Sequence, residues 1–308
     1  MLKTEEISTF VHIVKTATIT AAADQLGIAK SAVSRRLSEL EEQLGVELFH
    51  RTTRKLVLTD SGQAFYTRCI QILADLEEAE DSVSQAHHEL SGQLRVAAPV
   101  SFGVMHLGPA IIDFQKLHPK LNFEIDFNDR QIDLIQEGFD IGVRIANLKD
   151  SSLIARKLAP ISTVICASPD YIKQHGAPNR PEELADHSCI TYSYLDNPHH
   201  WSFIDKQGNK QIVKVPKLMQ ANNGSFLSHV AISGLGIVRQ PTFIAYEYIA
   251  KGELIPILQD YPVFELNAYA IYPPTRHLSQ RVRSFIDFLV DRFSGIPYWE
   301  QCLTQTNK

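Results

Sequence analysis

Lys30, Ser31, Ser34, Arg35 and Arg36 crowd a seven-residue window, and Arg51, Arg54 and Lys55 form a second basic window fifteen residues further on. Cations at this density neutralise phosphates, and an arginine that reaches a base edge can make a paired hydrogen bond to guanine. Each window carries +3 with no acid between its members, although residues 1–60 balance at eight Lys/Arg against eight Asp/Glu and the whole chain carries −5. Distribution therefore matters more than the sum, because two compact basic windows can form a phosphate-binding face on a neutral domain. A merely solvated face is the plain alternative. Other chemistries lack their signatures. The pairs His87-His88 and His199-His200 have no helical-spaced Cys or carboxylate beside them, and adjacent residues do not share a helix face. Gly234-x-Gly236 lacks a third glycine and precedes a strand, so it reads as a helix stop. No GxSxG, P-loop or HExxH run occurs. No catalytic set, metal site or cofactor is expected.

The elements that must position the basic windows can be read from periodicity. Thr18–Arg36 reads as two helices around a tight turn. Ala21, Ala22 and Leu26 give the first a small apolar stripe, and Gly27 ends it. Ser31 is the expected N-cap of a second helix from Ala32 to about Leu44, with Val33, Leu37, Leu40 and Leu44 on its inner face. Ahead of this pair, residues 4–16 read as a helix capped by Thr4, with Ile7, Phe10, Val11 and Val14 inward. Beyond it, Val46 to Leu58 reads as a small hairpin with a basic tip.

This run of landmarks resembles the winged helix-turn-helix of LysR-type transcriptional regulators: Phe10, Ala21-Ala22, Leu26, Ala32-Val33-Ser34, Leu40-Glu41-Glu42, Leu44-Gly45, Leu48-Phe49, Arg51, Leu58-Thr59 and Gly62. Many residue types at fixed offsets over about sixty positions are more specific than any short motif. The resemblance implies double-stranded DNA as partner. It implies DNA contacts from Thr18, Ile19, Thr20, Lys30, Ser31, Ser34, Arg35 and Arg36, and from Arg51 and Arg54 on the wing. The chain departs from the family's commonest form, which has Gln-Pro where Lys30-Ser31 stands here, so base preference cannot be carried over.

From Thr59 to Leu90 a proline-free pattern places Phe65, Cys69, Ile72, Leu76, Ala79, Val83, Ala86 and Leu90 at alternating spacings of four and three. That is the coiled-coil period, on a helix about 42 Å long, and such a seam calls for a second copy of the chain. Packing against its own chain is the alternative. The resemblance implies that this linker helix pairs two subunits, in a homodimer or a homotetramer.

After Ser91-Gly92 the pattern changes to alternating strands and helices, which favours a mostly parallel sheet flanked by helices. Strands are expected at Leu94–Ala98, Phe123–Phe127 and Phe139–Ile145, with a helix from Asp129 to Glu137. Ligands of such sheets sit beyond the strands' carboxyl ends, which draws attention to Ser101, Phe102, Asn128 and Arg144. A second lobe is expected from about Ser162 to residue 266, and the closing helix from Leu278 to Phe293 would rejoin the first. Residues 91–300 resemble the family's effector domain, itself similar to periplasmic solute-binding proteins.

The expected organisation is thus α/β: an N-terminal winged helix-turn-helix at 1–59, a linker helix at 60–90 and a two-lobed effector domain at 91–300. Lobe one would hold 91–161 and 267–300, lobe two 162–266. The resemblance implies an effector cleft with Ser101, Phe102, Asn128, Trp201, Phe203, Asn223, Gly224 and Arg144. Trp201 and Phe203 share strand parity, for which core packing is the favoured reading of each taken singly. Arg144 can hold an acidic ligand or pair with a structural Asp. With the helix-start amides it suggests a small organic acid as effector. The four cysteines are scattered without a CxxC pair, which suits buried free thiols. The absence of any 18-residue apolar run and of a secretory pattern after Met1 suits a cytoplasmic protein without a membrane partner. The competing class is a small-molecule binding or transport protein, or an enzyme, on the same two-lobed fold.

Overall fold

The computed structural model describes residues 2–51, 56–83, 89–146, 153–204, 208–263, 266–274 and 278–305. Helices α1 (Thr4–Thr16), α2 (Ile19–Leu26) and α3 (Lys30–Leu44) come first. Strands β1 (Phe49–Arg51) and β2 (Leu56–Leu58) and helix α4 (Asp60–Val83) follow. Their shared core holds Ile7, Phe10, Ile13, Ala22, Val33, Leu37, Leu40, Leu48, Phe49 and Cys69. Phe10 sits at its centre, with ring centroids 5.5 Å from Phe49 and 5.3 Å from Phe65.

Local signals explain the helix ends. Thr18 accepts the Ala21 N–H and caps α2, and Gly27, at φ +64°, turns the chain through the left-handed region where a Cβ would be strained. Two expected caps are corrected. α1 starts after Lys3, whose own N–H is accepted by Glu6 at 3.0 Å, so Thr4 lies inside the helix. α3 starts after Ala29, and Ser31 lies in its first turn. Serine between two helical residues no longer needs to cap, because α3 begins two residues earlier.

The hairpin is placed by one buried carboxylate. Glu41 on α3 accepts the Leu48 N–H at 2.8 Å and the Phe49 N–H at 3.4 Å. β1 and β2 pair antiparallel, with Arg51 opposite Leu56. The expected basic tip at 52–55, Arg54 included, lies outside the described residues, as does the Arg51 side chain.

The linker helix is present, and part of its expected seam faces outward. Cys69 is buried and Leu73 packs on the core, whereas Ile72 and Leu76 are 47% and 39% exposed. The expected helix ran to Leu90. Here α4 ends at Val83, residues 84–88 lie outside the description, and Leu90 is outside any helix.

From β3 (Gly92–Ala98) the chain continues through α5 (Val100–Phe102), a π-helical turn (Gly103–Leu107), α6 (Gly108–Leu117), β4 (Leu121–Phe127), α7 (Leu134–Glu137), β5 (Ile141–Ala146), β6 (Ile154–Ile161) and β7 (Thr163–Ala167). Then come α8 (Pro169–His175), a 3₁₀ helix (Pro181–Asp186), β8 (Cys189–Tyr192), β9 (His200–Ile204), β10 (Lys210–Lys214), β11 (Lys217–Ala221) and α9 (Gly224–Ile232). β12 (Ile237–Pro241), α10 (Thr242–Ala250), β13 (Ile255–Ile257), β14 (Leu266–Tyr272), α11 (Gln280–Arg292) and α12 (Tyr298–Gln305) complete the chain.

Two five-stranded sheets result, in the orders β4-β3-β5-β14-β6 and β11-β8-β12-β7-β13. They are mixed, which corrects the mostly parallel expectation. β14 runs antiparallel to β5 and β6, and β7 runs antiparallel to β12 and β13. The reason is the double crossing: chain entering one lobe and returning to the other must run against its neighbours. Strands β6, β11 and β13 and helix α12 were not anticipated, and the expected helix from Asp129 shrinks to Leu134–Glu137. Cys166 and Cys189 are buried like Cys69. Among the described residues no helix is long and apolar enough to cross a membrane.

Replacing Glu41 by alanine leaves two buried amides without an acceptor. We expect Glu41→Ala to destabilise the N-terminal unit by about 2 kcal/mol. A calorimetric melt in which its transition stays in place would show that the carboxylate does not hold the hairpin.

Candidate DNA interface and effector cleft

The basic residues of α3 divide by what already holds them. The inner face carries Val33, Leu37 and Leu40 into the core, so the opposite side of the same turns faces out. Lys30, Ser31 and Arg35 are exposed and Ser34 is half-buried. Arg35 is 73% exposed and lies 3.7 Å from Glu39 one turn on, a contact that solvent screens and a phosphate can replace. Arg36 is different. Its guanidinium meets the Glu5 carboxylate at 2.5 Å and donates to Thr9 Oγ1 at 3.4 Å, which ties α3 to α1. A structural pairing thus occupies the fork expected to read DNA. At the start of α2, Thr18 and Thr20 are exposed and Ile19 packs partly on the core. Thr18 carries the cap described above, and its hydroxyl remains at the surface.

In the two-lobed unit, α5, the π turn and α6 run as one helical stretch from the carboxyl end of β3. Val100 opens it and donates its N–H to Asp129 Oδ1 at 2.8 Å. Tyr192, at the carboxyl end of β8 in the other lobe, hydrogen-bonds the Asp129 carboxylate as well. Burial raises the Asp129 pKa, opposed by these two bonds. Burial, reinforced by the Asp129 charge, pushes the Tyr192 phenol up. Beside this pair Ser101 Oγ lies 3.1 Å from Ser225 Oγ on the first turn of α9. Two helix starts and two strand ends thus meet across the lobes through an acid, a phenol and two hydroxyls.

The expected cleft residues fare unevenly. Ser101 and Gly224 belong to this meeting point. Gly224 has no room for a side chain, since a Cβ would lie 2.5 Å from Ile244 Cδ1, and its carbonyl accepts the Gln240 amide at 2.7 Å. Asn223 caps α9 through the Phe226 N–H, and Asn128 accepts the Arg130 N–H to shape the loop after β4. The other four have partners inside the protein. Phe102 is fully buried among the rings of His106, Phe243, Phe293 and Trp299. Trp201 and Phe203 sit in the lobe-two core with Ile165, Ile237 and Val213, so the core reading holds for both. Arg144 donates to the Ile132 carbonyl at 2.9 Å and serves its own lobe. Asp129, Tyr192 and Ser225 were missed. Asp129 and Ser225 adjoin the named Asn128 and Gly224, and Tyr192 ends β8, so the strand-end rule applied more widely would have reached them.

The crossing between lobes is fastened by α12. Glu300 Oε1 accepts the Ser162 N–H at 3.0 Å and the Thr242 hydroxyl at 2.5 Å. Thr242 also bonds back to the Ser162 carbonyl. His106 bridges the same region: one ring nitrogen meets the Tyr298 hydroxyl, and the other donates to the Phe243 carbonyl at 3.0 Å. Its rings for neighbours are Phe102, Phe243, Tyr246, Tyr298 and Trp299. Burial drags its pKa from 6.5 to about 4, only partly opposed by the Phe243 carbonyl and the Glu247 charge.

His106 makes folding pH-dependent in a stated direction. Its folded pKa lies below its unfolded one, so its stabilisation is complete above about pH 6.5 and is lost as pH falls towards 4. Between pH 7.5 and 5.0 it should cost about 2 kcal/mol. We expect His106→Gln, which keeps hydrogen-bonding capacity without titrating, to lose less stability over this interval in urea titrations. Equal losses in variant and parent would contradict the assignment.

Comparison with known proteins agrees with this architecture. Residues 4–63 match the family model "Bacterial regulatory helix-turn-helix protein, lysR family", and residues 87–294 match "LysR substrate binding domain". A Haemophilus influenzae protein described as an uncharacterized HTH-type transcriptional regulator is 38% identical over 283 residues, spanning 92% of this chain and 98% of its own. The HTH-type transcriptional regulator CrgA of Neisseria meningitidis is 35% identical over 292 residues, covering 94% of this chain and 97% of its own. Its solved structure superposes with a TM-score of 0.62 at 34% identity, over 96% of this chain and all of that one. With its helix-turn-helix head and two-lobed cleft matched along nearly the full length, the chain belongs to the LysR family of bacterial transcriptional regulators.

Proposed function

We propose that this regulator reads its operator through the exposed start of α3. Lys30, Ser31, Ser34 and Arg35 would meet the major groove, Thr18 and Thr20 the flanking phosphates, and Arg51 and Arg54 the backbone or the minor groove beside the wing. The observation that carries this is the split of α3 into a buried face of Val33, Leu37 and Leu40 and an exposed face with its cations at the amino-terminal end. Arg36 is assigned to the α1–α3 contact and steadies the helix instead of reading bases. The chain is a DNA-binding regulator and not an enzyme, as its family membership requires.

A homodimer is the assembly that α4 favours. Ile72 and Leu76 lie on the expected seam and are left exposed, and a second copy of the same helix is the partner that the 3.5-residue period fits. Whether two dimers join is a property of the rest of the chain. The cleft between the lobes would take a small polar effector at Ser101, Ser225, Asp129 and Tyr192, in a protein acting in the cytoplasm beside its DNA.

Two measurements test the head. If Arg35 touches a base edge, Arg35→Ala should weaken operator binding by about 1 to 3 kcal/mol and leave non-specific binding nearly unchanged. If it touches phosphate, both should weaken alike and the salt slope should drop by about one. Gel shifts with DNA from upstream of the chain's own coding region would read both. An Arg51→Ala/Arg54→Ala double variant with unaltered affinity would remove the wing from the interface.

A further inference from the structure

Arg239 has no hydrogen-bond or ion-pair partner among the described residues. It lies on β12, in the middle of the lobe-two sheet, with its guanidinium 5.5 Å from the Trp201 ring centroid. Strand parity places it with Ile237 on the side that packs Trp201 and Ile165, opposite Val238 and helix α9. Trp201 is 1% exposed, so the guanidinium forms part of the lid over that ring. Burial lowers its pKa to about 10, which leaves it charged at neutral pH. Five donors in a fixed fork, only partly open to solvent, have no acceptor among the described residues of their own lobe. Two residues ahead of Trp201, the buried Nδ1 of His199 also lacks a partner.

The position of Arg239 in the sheet matters. Val238 pairs with Ile190 in the parallel β8–β12 ladder, which sets Arg239 level with Thr191, one residue short of Tyr192 at the strand's carboxyl end. Tyr192 is the residue that bonds Asp129 across the cleft. A guanidinium reaches about two residue lengths along a strand. Arg239 therefore stands one row behind the cleft-facing edge of lobe two. The helix-start amide of Val100, the obvious anion site, is already taken by Asp129. Arg144 is bonded to the Ile132 carbonyl.

We propose that Arg239 is the anion anchor of the effector cleft, and that the effector carries a carboxylate, or an oxyanion of similar shape, that pairs with its guanidinium over Trp201. The inference rests on the reading of the cleft as an effector site and adds the charge of the ligand and the residue that selects it. A planar carboxylate matches the fork bidentately, and a partly desolvated guanidinium with no counter-charge among the described residues gains most from such a partner. Cations and neutral amides would leave it unpaired. Its neighbour Trp201 supplies the readout, because an anion drawn to the guanidinium changes the field at the indole.

The test uses the full-length protein and a fixed set of probes: benzoate, succinate, inorganic phosphate, the neutral benzamide and succinamide, and the cationic benzylamine. Each is titrated against indole emission and, in parallel, against operator affinity. We expect at least one anion to bind saturably and its neutral amide to bind about tenfold or more weakly. Arg239→Gln should abolish that preference while its melting temperature and ligand-free DNA affinity stay near those of the parent. Arg239→Lys, a cation without the fork, should restore only part of it, and if Arg239→Gln fails to fold it serves as the test in its place. Anions that bind Arg239→Gln as well as the parent, or amides and amines that bind as well as the acids, would overturn the assignment and leave the cleft an effector site of other chemistry. No response to any probe, charged or neutral, in emission or in DNA affinity, would count against both.

Discussion

The two-lobed half of this regulator depends on a carboxylate placed where the chain crosses from one sheet to the other. Glu300 holds the Ser162 N–H and the Thr242 hydroxyl, residues that stand just before β7 and at the start of α10. A half-buried carboxylate is held best when its lone pairs are used, and here the Ser162 N–H and the Thr242 hydroxyl at the start of α10 use them. The aromatic cluster around Phe102 then fills the space between Glu300 and His106, with Trp299 and Phe243 meeting Phe102 edge to face. The Trp299 indole N–H goes without a partner inside this cluster. Such a group normally costs 1 kcal/mol or more, on the order of what one aromatic contact returns, so the ring is retained for its shape. The hinge is thus specified by a few directional bonds inside an otherwise non-directional packing.

The DNA-binding half applies the same economy of charge. Arg36 lies in the basic window that spacing singles out, yet its fork closes on Glu5 and Thr9. One cation given to the α1–α3 contact orients the remaining ones, since Lys30 and Arg35 stand on the helix that contact fixes. Glu41 works from the other side of the same helix by holding the Leu48 and Phe49 amides, so the hairpin inherits its position from α3. The head is rigid because ionic and polar side chains of one helix reach both its predecessor and its successor.

These observations mark where sequence reasoning succeeds and where it stops. The span of helix α1 was readable, although not its cap, because its inward side chains recur at helical spacing and its ends lie at polar positions. Thr18 and Gly27 were equally legible, since a cap and a left-handed turn each require particular residue types. Ser31 misled because a good capping residue is not required to cap when the preceding backbone already turns into the helix. Strands β6, β11 and β13 escaped because Ile154–Ile161, Lys217–Ala221 and Ile255–Ile257 carry basic or proline residues and lie at sheet edges, where alternation is weak. In the cleft, position along a strand could be read and pairing could not. Arg144 and Arg239 are both strand arginines in sequence, and only the fold reveals that one has the Ile132 carbonyl and the other has no acceptor among the described residues.

The contacts that close the cleft are weak ones. A hydroxyl–hydroxyl bond such as Ser101–Ser225 contributes about 1 kcal/mol net, and water or a ligand hydroxyl can replace either partner at little cost. The Asp129–Tyr192 bond is stronger because the acceptor is a carboxylate, while burial raises the pKa of both groups, keeping the phenol protonated as the donor and making the buried carboxylate costlier to hold. A ligand shifts such an equilibrium only by the difference in its affinity for the two arrangements. With a latch of this size, a difference of about 2 to 3 kcal/mol moves most of the population, which a single desolvated ion pair can supply. The strong bonds lie at the hinge and the weak ones at the cleft. That ordering is what a ligand-operated fold requires: the axis must survive each cycle, and the closure must yield to a molecule of a few heavy atoms.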